Sequence, residues 1–425
     1  MLAAVAARDL DVVVFGATGV TGRQVVAYLA ERAPATGARW GVAARDAGKL
    51  ERMLGPAAES AEKLVADVTD QASLAAMASR AQVVLNLVGP YTIHAQPVIG
   101  ACVASGAHYV DLTGEIPFVR RMIEAYDARA RDTGVKIVQV CGFEALPPDL
   151  AVRLAAELAY DEWGEGLSEV DLAVSTKPPP GMPRPSDMIS GGTLQSLAVA
   201  VGDQDAGTVS DPAALISDVA LAERVRRRSP IPLAPRRDAR GAVIAPMAPA
   251  PFINPAVIHR TAALIAAETD GPAEPFRYRE GIALGGPPGS LPLRYAVAGA
   301  LSGTQIALTG LTRVRPTVRR RLSQGLVRIL PSSGFGPAED RLEGWHWHMS
   351  IDARTAGGHA ARVDVDADGH PGYLTTARMV GEAGLMLAAP DLTPARAGCL
   401  TPATAIGTAS LQRFEHARLR FSASA

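Results

Sequence analysis

Apolar and polar positions follow two alternating periods along the first third of the chain. The run "DVVVFG" predicts a short buried strand, and residues 21–33 repeat apolar positions at helical spacing. "RWGVAAR" predicts a second strand and residues 46–54 a helix. "KLVADV" predicts a third strand, and Asp70 opens a helix in "DQASLAAMASRA". "QVVLNLVGPY" predicts a fourth strand that stops at Gly89-Pro90, with a helix at 95–105. "HYVDLTGE" predicts a fifth strand, residues 117–133 a helix, and "VKIVQVCGF" a sixth strand. Strands separated by single helices imply right-handed crossovers, and so an α/β domain with a parallel sheet covered on both faces.

The pattern changes after Pro148. "DLAVRLAAELAY" predicts a helix, "EVDLAVST" a strand with period-two alternation, and "GGTLQSLAVAVGD" a helix capped near Thr193. Residues 224–255 hold seven arginines and many prolines and read as a long irregular connection. Strand patterns return at 276–284, in "WHWHMSIDA" and in "HAARVDVDA"; helices follow at 374–388 and after "CLTPATAIG". Leu293–Leu311 is barely long enough to span a bilayer and contains Arg294 and Gln305, so a buried pair of small-residue helices is expected there. The basic "RVRPTVRRRL" that follows leaves peripheral contact with a lipid surface open.

Composition narrows the class. The 425 residues are 48% apolar and 20% charged, with a net charge of −1, so no global field points to nucleic acid. The three cysteines are scattered without metal-ligand spacing, which suits a reducing cytoplasm. The stretch before the first strand is too short for a signal peptide plus spacer.

The loop "FGATGVTG" follows one predicted strand and opens a helix, the context in which a glycine pattern signals a dinucleotide. Gly16 permits the tight turn, Gly19 lets the backbone approach the pyrophosphate, and Gly22 lets helix and strand pack closely. Ala17, Thr18, Val20 and Thr21 complete the cradle, whose helix N-terminus favours phosphate. The second strand ends in Arg45, with Lys49 one helical turn on, where an NAD site usually carries an acid. A guanidinium there suits a 2′-phosphate, so NADPH is expected over NADH. Asp67, ending the third strand, either faces the adenine or caps a helix.

Ligands of an open parallel sheet bind beyond the carboxyl ends of its strands. That rule selects Val88, Gly89, Pro90 and Tyr91 for the nicotinamide half, the stretch from Asp111 to Glu115, and "CGFEALPPDL". Tyr91 either donates a proton or packs as an aromatic lid; Glu115 either meets substrate or caps the following helix; Asp111 is a further titratable candidate. His94, on the same loop as Tyr91, reads as a surface residue. No tyrosine has a lysine four residues on, so the short-chain dehydrogenase pair is missing. His346 and His348 share one side of a strand but have no carboxylate or cysteine beside them in sequence; they read as a strand face, and no metal is expected.

"FGATGVTG", "VVLNLVGPY", "YVDLTGE", "GFEALPPDL", "SGGT", "HPGY" and "CLTPATAIG" occur in this order. Together they resemble the saccharopine dehydrogenase-like oxidoreductases, and among these the trans-acting enoyl reductases of mycobacterial lipid biosynthesis. The resemblance implies a Rossmann-type doubly wound domain over 8–150 and a second α+β domain, with a mostly antiparallel sheet, over 151–373 for substrate and dimer contacts. It also implies a C-terminal helical segment, 374–425, packing back on the first domain. Phe143 and Glu144, in the "GFDSIP"-like segment of the family, and Gly191, Gly192 and Thr193 of "SGGT" become candidate substrate contacts. Glu144 and Ala145 replace the family's usual Asp-Ser.

The resemblance implies NADPH-dependent reduction of a C=C bond on a polyketide or fatty-acyl thioester, free or on a carrier protein. The arginines between Arg224 and Arg240 would then form either a basic rim or a solvated loop. A saccharopine-type C=N reductase would instead need arginines converging on an amino-dicarboxylate, and a non-catalytic NADP(H) sensor would bind the cofactor without turnover.

Overall fold

The computed structural model describes residues 8–181, 184, 191–203, 205–238, 240–246, 249–268, 274–286, 289–331 and 336–425. Strand β1 (Leu10–Phe15) explains the continuous apolar run at its start. Val12 and Val14 point into one hydrophobic cluster, Val13 and Phe15 into another on the opposite face. Around it lie β2 (Trp40–Ala44), β3 (Glu62–Val65), β4 (Ala81–Asn86), β5 (His108–Asp111) and β6 (Lys136–Val138). Their order is β3-β2-β1-β4-β5-β6, and every pairing is parallel. The reversal beside β1 opens a crevice at the strands' carboxyl ends. Helices α1 (Val20–Thr36), α2 (Ala47–Leu54), α3 (Gln71–Arg80), α4 (Tyr91–Ser105) and α5 (Ile116–Asp132) make the crossovers. The sixth strand is shorter than its apolar run because Val140 takes φ 60° and turns the chain. A β-branched residue in that region is strained, so the turn depends on its surroundings.

Helix α6 (Leu146–Trp163) leads from this sheet to a second, through β7 (Leu167–Lys177). The second sheet also contains β8 (Arg236–Arg237), β9 (Val243–Ala245), β10 (Arg277–Leu284), β11 (His346–Thr355), β12 (Ala360–Asp368) and β14 (Leu419–Ser424). Its order is β14-β12-β11-β7-β10-β9-β8, antiparallel except between β7 and β10. Buried residues of α6, Leu150 to Ala159, join Val12 and Val14 of the first sheet to Trp347 and Ile351 of the second in one core.

The C-terminal segment is more than helical. Its strand β13 (Gly398–Leu400) pairs with β6 as the seventh strand of the first sheet, and β14 closes the edge of the second. In the same segment α12 (Thr376–Ala388) buries Glu382, which accepts from Tyr28 Oη of α1 at 2.5 Å and meets Arg32 and Arg413 at 3.3 and 2.7 Å.

Two expectations need correction. The stretch 224–255 is not wholly irregular: α8 (Val219–Arg228) is capped by Asp218, buries Leu221, Ala222 and Val225, and ends in three arginines that suit a helix C-terminus. It is followed by β8 and β9, and α9 (Asn254–Glu268) begins at its end. The expected buried helix pair at Leu293–Leu311 is one helix, α10 (Leu291–Thr312), and most of its surface is exposed. Only Ala298, Ser302, Gln305 and Thr309 are buried, because one narrow face meets the rest of the protein.

Candidate active site

The crevice beside β1 is a cleft of about 850 Å³. One end is built by the glycine loop. Gly16 has φ 90°, and a Cβ on it would stand 2.9 Å from Val88 Cγ2. A Cβ on Gly22 would stand 2.3 Å from Gly16 O, so α1 can approach the loop only without a side chain there. Gly19 precedes α1 with no side-chain cap, which leaves the helix's first N–H groups to face the cleft. This cradle fits a pyrophosphate, and Thr18, Gly19, Val20, Thr21 and Gly22 line it. Ala17 is fully buried beneath the loop and does not line the cleft.

The ends of β2 and β3 form the adenosine side. Arg45 and Lys49 line the cleft and are exposed. Asp46, next to Arg45, caps α2 by accepting from Lys49 N at 2.9 Å. Asp67 also lines the cleft; its Oδ1 accepts from Thr69 N and Oγ1 at 2.8 Å, and these bonds hold its carboxyl below the usual range. The helix cap beside it is Asp70.

The other end gathers Val88, Gly89, Pro90, Tyr91, Glu115 and Glu144. The Tyr91 hydroxyl is buried 3.5 Å from Asn86 O, and burial pushes it well above its ordinary value. Glu115 caps α4 rather than its own helix. Its Oε1 accepts from Tyr91 N at 3.1 Å and Ser196 Oγ at 2.9 Å; its Oε2 accepts from Thr92 N at 2.8 Å and from Thr92 Oγ1. Four donors on a carboxylate that is 2% exposed make it a positioning group.

Asp111 lies under the floor and does not line the cleft. It accepts from Tyr109 Oη, Thr113 N and Val140 N at 2.8, 3.1 and 3.3 Å, and so pins the strained turn at Val140. Burial raises it to about 7. Glu144 lines the cleft half-buried, and desolvation raises it above the ordinary carboxyl range. Phe143 points away: its ring packs edge-on against Trp347, centroids 5.0 Å apart. Gly191, Gly192 and Thr193 open α7 (Gly191–Gly202), but their side-chain positions, like all of Ser190, lie outside the described residues. The same helix brings Gln195, Ser196 and Ala200 to the cleft.

Sequence reasoning missed the distant contributors. Val209, Pro249, Phe252 and Ile253 form an apolar wall, and Tyr373 and Thr376 come from the "HPGY" turn and the helix after it. Ile253 fits because Gly114 has no Cβ; one there would lie 2.8 Å from Ile253 Cδ1. Only "HPGY", already quoted as a motif, offered a signal. None of the described arginines from 224 to 240 lines the cleft. Arg226 pairs with Asp211, Arg236 with Asp171 and Arg240 with Asp352, so they form no rim. His346 and His348 do have carboxylates beside them, across the strand pair rather than along the sequence: Asp368 and Asp366 lie 3.0 and 2.9 Å from their Nδ1 atoms. Among the described residues no group of three metal-ligating side chains is arranged to hold an ion, and no helix is long and apolar enough to cross a membrane.

Comparison with known proteins agrees with this geometry. Residues 12–138 match the saccharopine dehydrogenase NADP-binding domain. Fold and cradle thus define an NADP-binding oxidoreductase of the saccharopine dehydrogenase-like class. The chain is 33% identical over 441 residues to a trans-acting enoyl reductase of Mycobacterium ulcerans, covering 99% of each chain. It is 33% identical over 427 residues to one of Mycobacterium tuberculosis, covering 96% of each. It belongs to the trans-acting enoyl reductase family. It is also similar to the apo saccharopine dehydrogenase (L-Glu forming) of Saccharomyces cerevisiae, at 14% identity and a TM-score of 0.49, over 97% of this chain and 99% of that one.

Proposed function

We propose that the protein reduces the C=C bond of an α,β-unsaturated acyl thioester with NADPH. The observation that carries this reading is the polarity of the cleft. Its cationic lysine and arginine lining, Arg45 and Lys49, sits at the adenosine end, whereas the far end presents Leu112, Ile116, Pro117, Val209, Phe252 and Ile253. Among the described residues no arginine or lysine lines that far end, so a dicarboxylate has no clamp there, while an acyl chain has an apolar wall. The relatives named as enoyl reductases support the same reading.

The glycine loop at Gly16, Gly19 and Gly22 would hold the pyrophosphate of NADPH, and Arg45 and Lys49 its 2′-phosphate; bound there, the cofactor would supply the hydride for the β-carbon. The chain's residues then handle the proton that the α-carbon needs. Glu115 has both oxygens engaged, and the Tyr91 hydroxyl faces Asn86 O. Glu144 is the remaining carboxyl at this end of the cleft, and its raised pKa favours the protonated acid that such a step consumes. Glu115 acts indirectly, tying α4, the loop from Gly89 to Tyr91 and Ser196 into one wall.

The test is turnover of NADPH with a 2-enoyl pantetheine thioester and, in parallel, with an amino-dicarboxylate plus an aldehyde. Formation of the saturated thioester is expected, with Glu144→Gln lowering kcat by roughly a hundredfold or more at unchanged NADPH affinity. Turnover of the imine pair alone supports the saccharopine-type reaction instead, and tight NADPH binding with no turnover supports a sensor.

A further inference from the structure

Helix α10 and its successor α11 (Pro316–Ile329) have inside-out amphipathicity. The buried stripe of α10 is Ala298, Ser302, Gln305 and Thr309, while Leu293, Tyr295, Val297 and Ile306 are exposed. In α11, Arg319 and Ser323 are buried, and Val318, Leu322, Leu326, Val327 and Ile329 are exposed, the last at 84%. A water-facing helix buries the opposite set. α11 is anchored through small and polar contacts, and α10 rests Ala298, Leu291 and Leu301 on Val243 and Ala245 of β9 while Gln305 Nε2 donates to Pro232 O at 3.3 Å. Ser323 packs where Gly202 of α7 has no side chain. These large apolar side chains are therefore left partly or largely open to solvent.

Charge says what covers them. From Leu291 to Ile329 the chain has seven arginines and no aspartate or glutamate. Arg313, Arg315, Arg320, Arg321 and Arg328 are exposed. At about 100° per residue, Val318, Leu322, Leu326 and Ile329 fall within an arc of about 80°, with Arg321 and Arg328 on the adjoining side and Arg320 across the helix. A two-fold contact between copies of this face would set arginine against arginine. Phosphodiester headgroups complement them, with acyl chains beneath for the leucines.

We infer that α10 and α11 dock the protein on an anionic bilayer surface, lying on it rather than crossing it. The face adjoins the cleft: Gln195, a cleft-lining residue of α7, donates from Nε2 to Val327 O, Leu330 O and Pro331 O at 3.0–3.2 Å. An apolar substrate drawn from the bilayer would reach the cleft beside this face, although docking itself requires no turnover.

The experiment is co-sedimentation of the NADPH-loaded protein with phosphatidylcholine vesicles, with and without roughly one-third phosphatidylglycerol. The expected result is sedimentation with the anionic vesicles only, weakened by salt. Arg321→Gln/Arg328→Gln should lower partitioning roughly thirtyfold. Leu322→Gln/Leu326→Gln should lower it at least about tenfold. Unchanged NADPH affinity in both variants shows that they fold. Absence of binding to anionic vesicles, equal binding to neutral ones, or binding indifferent to both variants overturns the inference. So does a solution dimer, or capture of an acidic acyl carrier protein, that the leucine variant abolishes while the wild type ignores vesicles.

Discussion

Arg45→Ala should erase most of the preference for NADPH over NADH. Arg45 stands at the carboxyl end of β2, exposed and lining the adenosine side of the cleft with Lys49. A unit-charge pair 4 Å apart is worth about 1 kcal/mol in water and about 4 kcal/mol at an effective dielectric of 20. The exposure of Arg45 calls for the lower figure. A phosphate monoester carries about two negative charges, so the contact contributes about 2 kcal/mol, or about 30-fold in the preference ratio. Because the pair meets solvent, the preference should shrink as salt rises and the Debye length falls from about 10 Å at 0.1 M to about 3 Å at 1 M. Arg45→Lys should lose less, keeping the charge but not the two-pronged donor geometry. The assay is the dissociation constant of each nucleotide, by fluorescence titration, at low and high salt. An unchanged ratio in Arg45→Ala refutes the argument. An equal loss for both nucleotides refutes it too, since it would put Arg45 on a part of the cofactor common to both.

Gly22→Ala should abolish nucleotide binding and destabilise the fold by roughly 1–3 kcal/mol, because its Cβ would stand 2.3 Å from Gly16 O; titration calorimetry and a thermal melt read the two effects. Glu382→Ala should destabilise by about 3 kcal/mol, since it leaves Arg32, Arg413 and Tyr28 without their shared buried acceptor; urea unfolding at unchanged m-value measures it. Burial holds Asp111, Asp149 and Glu280 each at about 7, above their unfolded values near 4. Between those limits the native state binds more protons than the unfolded chain, so this contribution to stability is full below pH ~4 and lost as pH rises through ~7. The melting temperature should therefore fall between about pH 4 and 7, and Asp111→Asn should flatten part of that slope; a slope identical in the variant contradicts the assignment to Asp111.

The first sheet was legible because each of its strands is a local apolar run followed by its own helix. β13 was not: Gly398–Leu400 is too short to show a period, and only pairing with β6 makes it a strand. The exposure of α10 was hidden for a related reason. A helix of small and apolar residues reads as buried wherever burial is inferred from composition, and only three-dimensional packing shows that one narrow face, with Ala298 on β9 and Gln305 on Pro232 O, holds it to the protein. The carboxylates around His346 and His348 were missed because they are neighbours in register, not in sequence: Asp368 pairs with His346 and Asp366 with His348.

Three carboxyls at adjoining strand ends show where sequence reasoning about the site stops. Asp111, Glu115 and Glu144 follow from the same rule about strand termini, yet their surroundings separate them. Asp111 is fully buried and spends its oxygens on Tyr109, Thr113 and the turn at Val140. Glu115 spends its oxygens on the first turn of α4 and on Ser196 of the second domain, a partner 81 residues away. Glu144 remains in the cleft, with desolvation favouring its neutral form. Desolvation and donor count therefore separate the two carboxyls that build the wall from the one left open to the cleft. Neither property belongs to a residue type; both belong to the elements that converge on it, including Ser196 and Thr376 from beyond the first domain. The apolar wall of Phe252 and Ile253 arises in the same way, from side chains outside the first domain that line the cleft.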